Sequence, residues 1–288
     1  MGQKHFVAVG QMTSTPDPHH NARMACSIIR RAAKCSAKLV TLPEACDFIA
    51  GPDEVLKLAT SLEESDFLNA IRKEAKESKV WVIVGMHERC KDEERVYNSC
   101  VLVSDSGSIA SKYEKVHLLD VDVQGGDSVQ ESSLTKPGER LTEPSETPLG
   151  KIGLLVCYDL RFPAAAQNLR RRGAQVISMS SAFTARTGGV HWEPLLRARA
   201  IENQAYVLAA NQIGTHPSGR QSFGHAMIVD PWGCVVARCS DRPPADATKQ
   251  GDDEGQFCMS EIDIDWVEEL RKSMPLVEQM RDDLYALP

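Results

Sequence analysis

Lys151-Ile-Gly-Leu-Leu-Val-Cys157-Tyr-Asp-Leu-Arg-Phe-Pro163 passes from an unbroken apolar run into a thiol, a polar turn and a proline. The run 151–156 reads as a buried strand, and a helix is expected over 164–172, soon after Pro163. Cys157 then stands on a strand-to-helix elbow, which presents its sulfur at the open end of a sheet. Two more strand-like runs end on chemically loaded residues. Lys38-Leu-Val-Thr-Leu-Pro43 reaches Glu44, and Ser108-Ile-Ala-Ser-Lys-Tyr-Glu114 reaches Lys115. A thiol, a carboxylate and an ammonium at three strand ends can meet on one sheet edge.

Each residue alone has an ordinary explanation. A buried cysteine is usually a small hydrophobe. Glu44, just after Pro43, also suits a surface acid or a charge at a helix start. Lys115 lies in the alternating Ser111-Lys-Tyr-Glu-Lys-Val-His-Leu118 and also suits a solvated position. Together they form one chemical set. A free thiol has a pKa of roughly 8.5 and needs a base or a cation to react at neutral pH. Glu44 is the expected base, provided burial raises its pKa toward neutrality. Lys115 and the backbone N–H of Tyr158 are the expected oxyanion donors for acyl transfer from an amide.

Around these ends the chain alternates strands and helices. Strands are expected over 6–11, 39–42, 80–84, 99–103, 108–116, 151–157, 175–180 and 206–211. Asn21 is the expected cap of a first helix carrying Met24, Ile28, Ala32 and Cys35 inward. Further helices are expected over 64–77, 164–172 and 192–204. The ending turns to consecutive strands, 225–229, 235–239 and 257–262, then a short acidic helix and a tail over 274–288. Consecutive strands in both halves imply mixed sheets, which with covering helices stack as a sandwich. No repeat or linker divides the chain, so one α/β domain over 1–288 is expected. The segments 117–148 and 241–255 read as loops, the second a mobile surface loop.

Composition removes other classes. The 288 residues are 42% hydrophobic and 25% charged with a net charge of −7, ordinary for a globular protein and poor for nucleic acid or a membrane surface. No run approaches the roughly 18 apolar residues that a spanning helix needs. The nine cysteines are odd in number and lack a Cys-x-x-Cys pair, so reduced thiols and a cytoplasmic location are expected. A mitochondrial form with an upstream transit peptide stays open. No histidine or carboxylate cluster has metal-ligand spacing, and no glycine-rich phosphate loop appears, so neither metal nor cofactor is expected. Arg186, read in a loop after a strand, suits either a surface position or the anionic tail of a substrate. His191 and His225 follow Cys157 in the order of a Cys–His hydrolase, but no local motif of that kind accompanies them.

Leu-Pro-Glu44-Ala, Tyr-Glu-Lys115-Val-His-Leu and Val-Cys157-Tyr-Asp-Leu-Arg-Phe-Pro, in that order, resemble the nitrilase (carbon–nitrogen hydrolase) superfamily. Ser180-Ser-Ala-Phe183, His191-Trp-Glu193, Arg197-Ala-Arg-Ala-Ile-Glu202 and Gly224-His-Ala-Met-Ile-Val-Asp-Pro-Trp-Gly233 extend the likeness over nearly the whole chain. Within the superfamily it points to the deaminated glutathione amidases. The resemblance implies a four-layer α-β-β-α sandwich that pairs into homodimers, with the tail over 274–288 helping at the interface. It implies Glu44 as base, Lys115 as oxyanion stabiliser and Cys157 as nucleophile. A second glutamate falls on Glu131, which would hold Lys115 charged and orient the amide. Ala164 and Glu114 depart from many relatives, which have Glu and a basic residue there. The implied activity is hydrolysis of the amide of deaminated glutathione through a Cys157 thioester, releasing ammonia or the equivalent amine and a 2-oxo acid, as metabolite repair. The rival readings are an ω-amidase acting on 2-oxoglutaramate, a true nitrilase, and a binding protein that keeps the fold without chemistry.

Overall fold

The computed structural model describes residues 4–91, 93–122, 128–216, 219–241 and 255–285. The first half holds strands β1 (Lys4–Met12), β2 (Leu39–Thr41), β3 (Trp81–Arg89), β4 (Val96–Val103) and β5 (Ile109–Glu114) with helices α1 (Pro18–Lys34), α2 (Pro52–Leu58) and α3 (Asp66–Ser78). A small hairpin, β6 (Asp120–Asp122) and β7 (Ser128–Gln130), leads to β8 (Ser145–Thr147) and β9 (Gly150–Val156). Then come α4 (Pro163–Arg171), β10 (Val176–Ser181), α5 (Ala185–Asn203) and β11 (Tyr206–Thr215). β12 (Gln221–Phe223), β13 (Met227–Val229), β14 (Val235–Arg238), β15 (Gln256–Asp263), α6 (Ile264–Ser273) and α7 (Asp282–Tyr285) close the chain.

Among the described residues thirteen strands form one branched sheet, whose two arms supply the two stacked layers of the expected sandwich. One arm runs β5-β4-β3-β2-β1 and the other β11-β10-β9-β8. Among the described residues their ladders join where Gln11 and Met12 pair with Asn211 and Gln212. β15 lies antiparallel along the rest of β1, and β13 and β14 extend from β11. Because the junction is short, the arms fold over one another as the two inner layers of a sandwich. Period-two alternation shows which face each strand gives to which layer. Val7, Val9, Ile83, Cys100 and Leu102 point into a core shared with Val156, Ile177 and Met179 of the opposite arm. Ala8, Val82, Val84, Val101 and Val103 point the other way, onto Ile28 and Ile29 of α1 and Leu68, Ile71 and Ala75 of α3. α4 and α5 cover the second arm with Leu169, Trp192 and Leu196. Ser180 bridges the inner layers by donating to the Leu42 carbonyl at 2.8 Å.

Several local expectations shift. α1 is capped by Asp17, whose Oδ1 accepts from the His19 and His20 amides, because Pro18 is pre-organised for the first helical position. Asn21 instead donates to the carbonyls of Thr15 and Asp47, tying the helix to the loop after Glu44. Cys35 is exposed, not inward. α2 was not expected. α5 begins at Ala185, seven residues before the expected start, so Arg186 stands on its exposed first turn and not in a loop. Two glycines concealed that helix from a propensity reading. Gly188 is there because a Cβ would overlap the Phe223 ring. The segment 117–148 holds β6, β7, a 3-10 turn and β8. The polar segment 241–255 lies, apart from its ends, outside the described residues.

Candidate active site

Three elbows from both arms meet at one end of the sandwich. The first follows β2, where the chain turns at Pro43 and Glu44 and Ala45 takes a positive φ of 53°. β3 passes so close that a Cβ on Gly85 would stand 2.6 Å from the Glu44 Cα and 2.7 Å from the Pro43 carbonyl oxygen. The Gly85 amide donates to that oxygen at 3.0 Å, and its carbonyl accepts from Cys46 at 2.9 Å. Only glycine permits this approach, which fixes the backbone under Glu44. Gln212 holds the turn from the other side by donating to the Glu44 carbonyl at 2.9 Å.

The second elbow follows β5, where the Lys115 amide still donates to Asn98 of β4. Lys115 is 2% exposed. Its Nζ donates to Glu44 Oε1 at 3.1 Å and to Glu131 Oε1 and Oε2 at 3.0 and 2.8 Å. Glu131 opens a 3-10 turn after β7, and its Oε2 also accepts the Leu119 amide at 2.7 Å. Asn98, which the sequence reading passed over, donates to Glu44 at 2.7 Å and to Glu131 at 3.1 Å. One ammonium and one side-chain amide thus satisfy two carboxylates away from water, the condition on which a buried ion pair persists.

The third elbow is the 3-10 turn Cys157–Arg161. Cys157 has a φ of 44°, a left-handed conformation that costs a non-glycine residue roughly 1 kcal/mol or more and tends to mark functional turns. Asp159, fully buried, pins the turn. Its Oδ2 accepts from the Val156 amide at 2.9 Å and the Tyr113 hydroxyl at 2.8 Å, while its Oδ1 meets His117 Nδ1 at 2.7 Å. His117 stacks on Phe162 with centroids 3.8 Å apart. The lysine elbow and the cysteine elbow are therefore laced together. The Cys157 thiol lies close enough to Glu44 and to the Ala182 amide for each to act on its proton. The Tyr158 amide is the next along the turn, and the first amides of a helical turn lack intrahelical acceptors.

The charges follow from this packing. Burial opposes the Glu44 carboxylate, but Lys115, the Cys157 thiol, Arg220 and Asn98 outweigh it, so its pKa lies below the ordinary value. This reverses the expectation that burial lifts Glu44 toward neutrality: the lysine beside it decides the sign. Burial likewise opposes the Lys115 ammonium, yet Glu44 and Glu131 hold its pKa above the ordinary range. Burial first, and then the Glu44 charge, push the Cys157 thiol up. The resting site is a neutral thiol against a ready carboxylate, an arrangement in which the carboxylate is able to accept the thiol's proton. The kcat/KM profile will accordingly have its acid limb below 4.5, the ordinary carboxyl value. It will lose nothing to Lys115 deprotonation up to 10.5. A break near 6.5 instead would indicate a histidine base.

The other sequence candidates make different contacts. His191 Nδ1 meets Arg161 at 3.2 Å, and His225 stacks on Phe223. Arg199 pairs with Glu202 at 2.8 Å, Arg197 donates to the Gly233 carbonyl, and Glu193 pairs with Arg238. Among the described residues no three His, Cys, Asp or Glu side chains stand together as metal ligands, and no helix is long and apolar enough to cross a membrane.

The chain matches the carbon–nitrogen hydrolase family over residues 6–271. It is 43% identical to the deaminated glutathione amidase of Mus musculus over 98% of its length and 84% of that protein. It is 44% identical to the Homo sapiens protein of the same name, again over 98% and 84%. The crystal structure of the C. elegans NitFhit protein superposes with a TM-score of 0.89 at 40% identity, covering 99% of this chain and 67% of that one. Saccharomyces cerevisiae Nit3, of the nitrilase superfamily, gives 0.82 at 30% identity over 97% of each chain. With a family match along most of its length and a sandwich superposable on solved relatives, this chain belongs to the carbon–nitrogen hydrolase family and is a hydrolase of non-peptide carbon–nitrogen bonds.

Proposed function

We propose that Glu44, Lys115, Cys157 and Glu131 form the catalytic centre of an amidase whose substrate is deaminated glutathione. Lys115 buried between two carboxylates beside the strained Cys157 elbow is the observation that carries this reading. The Cys157 sulfur attacks the amide carbonyl while its proton passes to Glu44. Lys115 Nζ and the Tyr158 amide stabilise the oxyanion, for which fixed, preorganised donors count for more than mobile ones. Glu44 returns the proton to the departing nitrogen, leaving a thioester. Glu44 then takes a proton from water as it attacks, and the carboxylic acid leaves with the thiol restored. Glu131 keeps Lys115 charged and in register. No cofactor enters these steps.

Relatives that match this chain nearly end to end in Mus musculus, Homo sapiens and Dictyostelium discoideum carry the name deaminated glutathione amidase, which supports that substrate and a role in metabolite repair. Arg186, exposed on the first turn of α5, is the candidate for the anionic tail of the leaving group. The whole chain acts as one domain and pairs into a homodimer. Exposed Val190 and Ile201 on α5 and Trp232 beside it support an interface there, with the tail adjoining it. A cytoplasmic location fits nine cysteines that are all free. Comparing deaminated glutathione with 2-oxoglutaramate tests the assignment. The tripeptide-derived amide, which releases an amine, should give the higher kcat/KM by a wide margin. Faster release of ammonia from 2-oxoglutaramate would reassign the chain as an ω-amidase.

A further inference from the structure

A hairpin wedged between two of the elbows brings in a cation that the acyl-transfer steps do not use. β11 passes the Glu44 turn, where Gln212 holds the Glu44 and Ala45 carbonyls, and returns as β12. β12 runs beside the segment that follows β10. The Phe223 amide donates to the Phe183 carbonyl at 2.8 Å, and Ser222 bridges Thr184. That segment lies against the nucleophile, since Ser180 pairs with Val156 one residue before Cys157. His216 fixes the base of the hairpin by contacting the Ser14 carbonyl at 3.0 Å and the Ser222 hydroxyl at 2.8 Å.

Arg220 stands on this hairpin. Its Nη2 donates to the Ala182 carbonyl, and the amide of that same residue lies beside the Cys157 sulfur, as the pairing of Ser180 with Val156 requires. An amide nitrogen and a carbonyl oxygen of one residue lie roughly 3 Å apart, so guanidinium and sulfur are separated by no more than about 10 Å. Arg220 is exposed to solvent, and among the described residues no carboxylate pairs with it. A guanidinium offers five N–H donors in a planar fork suited to a carboxylate, and the Ala182 carbonyl engages only one nitrogen.

We infer that Arg220 binds the carboxylate at the far end of the substrate's acyl arm and thereby sets the preference for 2-oxo acid amides over neutral ones. This rests on the amidase reading above. In a 2-oxoglutaryl amide four carbon–carbon bonds, about 5 Å, separate the scissile carbon from that carboxylate. With a contact at either end, this fits the space from sulfur to guanidinium. The Arg220 charge also helps keep Glu44 ionised, an effect that any amide substrate would feel equally. The carboxylate preference is therefore the readout that isolates recognition.

The test compares deaminated glutathione with its monoester at the acyl-arm carboxylate, in wild type, Arg220→Gln and Arg220→Lys. The wild-type preference for the free acid should fall about 10- to 100-fold in Arg220→Gln, the worth of one charge-assisted pair, and recover in part in Arg220→Lys. A second arm measures 2-oxoglutarate binding to Cys157→Ala and to Cys157→Ala/Arg220→Gln, where the dissociation constant should rise by a similar factor. An unchanged preference, equal losses on acid and ester, or unaltered 2-oxoglutarate binding would overturn the assignment. If wild type cleaves neither amide, the amidase reading fails, and the binding arm alone decides the role of Arg220.

Discussion

Cys157→Ala will give a folded protein that releases no amine above background, a loss of about ten-thousand-fold or more in kcat. The size of the effect follows from the pathway: without a sulfur there is no thioester, and water must attack the amide directly. Folding should survive because alanine retains the Cβ that already stands at a φ of 44°, so the backbone strain is unchanged. The elbow is held by Asp159 and its partners, none of which involve the sulfur. Serine is a useful second variant. It offers Glu44 a hydroxyl of similar shape but a poorer nucleophile and leaving group, so activity should stay far below wild type. In wild type, an acyl adduct trapped by rapid acid quench should appear by mass spectrometry on the peptide containing Cys157 and nowhere else. Turnover surviving in Cys157→Ala, or an adduct on another cysteine, would defeat the nucleophile assignment.

The three candidate residues were legible because each ends a strand-like run, and strand ends are where a sheet exposes chemistry. What the runs could not show is which residues knit the ends together. Asn98 sits in Val96–Val103 on the same face as Cys100 and Leu102, so the available signal was a polar side chain at an inward position of an apolar strand. Gln212 lies within the buried run of β11, one residue before its end, and carries the same mark. Glu131 follows no periodic pattern. It lies on a 3-10 turn after a three-residue strand, and only the resemblance singled it out. The protonation state of Glu44 was misjudged for a related reason: burial is legible in an apolar context, but the cation that reverses its effect arrives from a strand 71 residues away. Alternation likewise predicted stacked sheets. The branch that makes them one sheet depends on β1 serving as neighbour to β2, β11 and β15, which no local pattern encodes.

Lys115→Met should damage activity and stability together, since methionine matches the lysine stem but removes the charge. Glu44 and Glu131, with 7% and 15% of their side chains exposed, would then face each other with only the Asn98 amide between them. Breaking a buried ion pair from one side costs about 3–5 kcal/mol, and loss of the oxyanion donor should lower kcat by about a thousand-fold. The pH dependence of stability separates this cause from simple misfit. In wild type the Glu44 pKa is lowered on folding, so its contribution is present above the unfolded value of 4.5 and is lost as pH falls through the folded value. Lys115, whose pKa is raised on folding, contributes fully below its unfolded value of 10.5 and loses that contribution as pH rises through the folded value. In Lys115→Met the carboxylate sign inverts. Without its counter-charge Glu44 takes up a proton more readily folded than unfolded, so the variant should gain stability as pH falls from neutrality toward 4.5. Urea melts at pH 5 and pH 7 should therefore show the gap between wild type and Lys115→Met narrowing at the lower pH. A gap independent of pH would mean that Lys115 contributes through packing alone, and the charge-balanced centre would have to be abandoned.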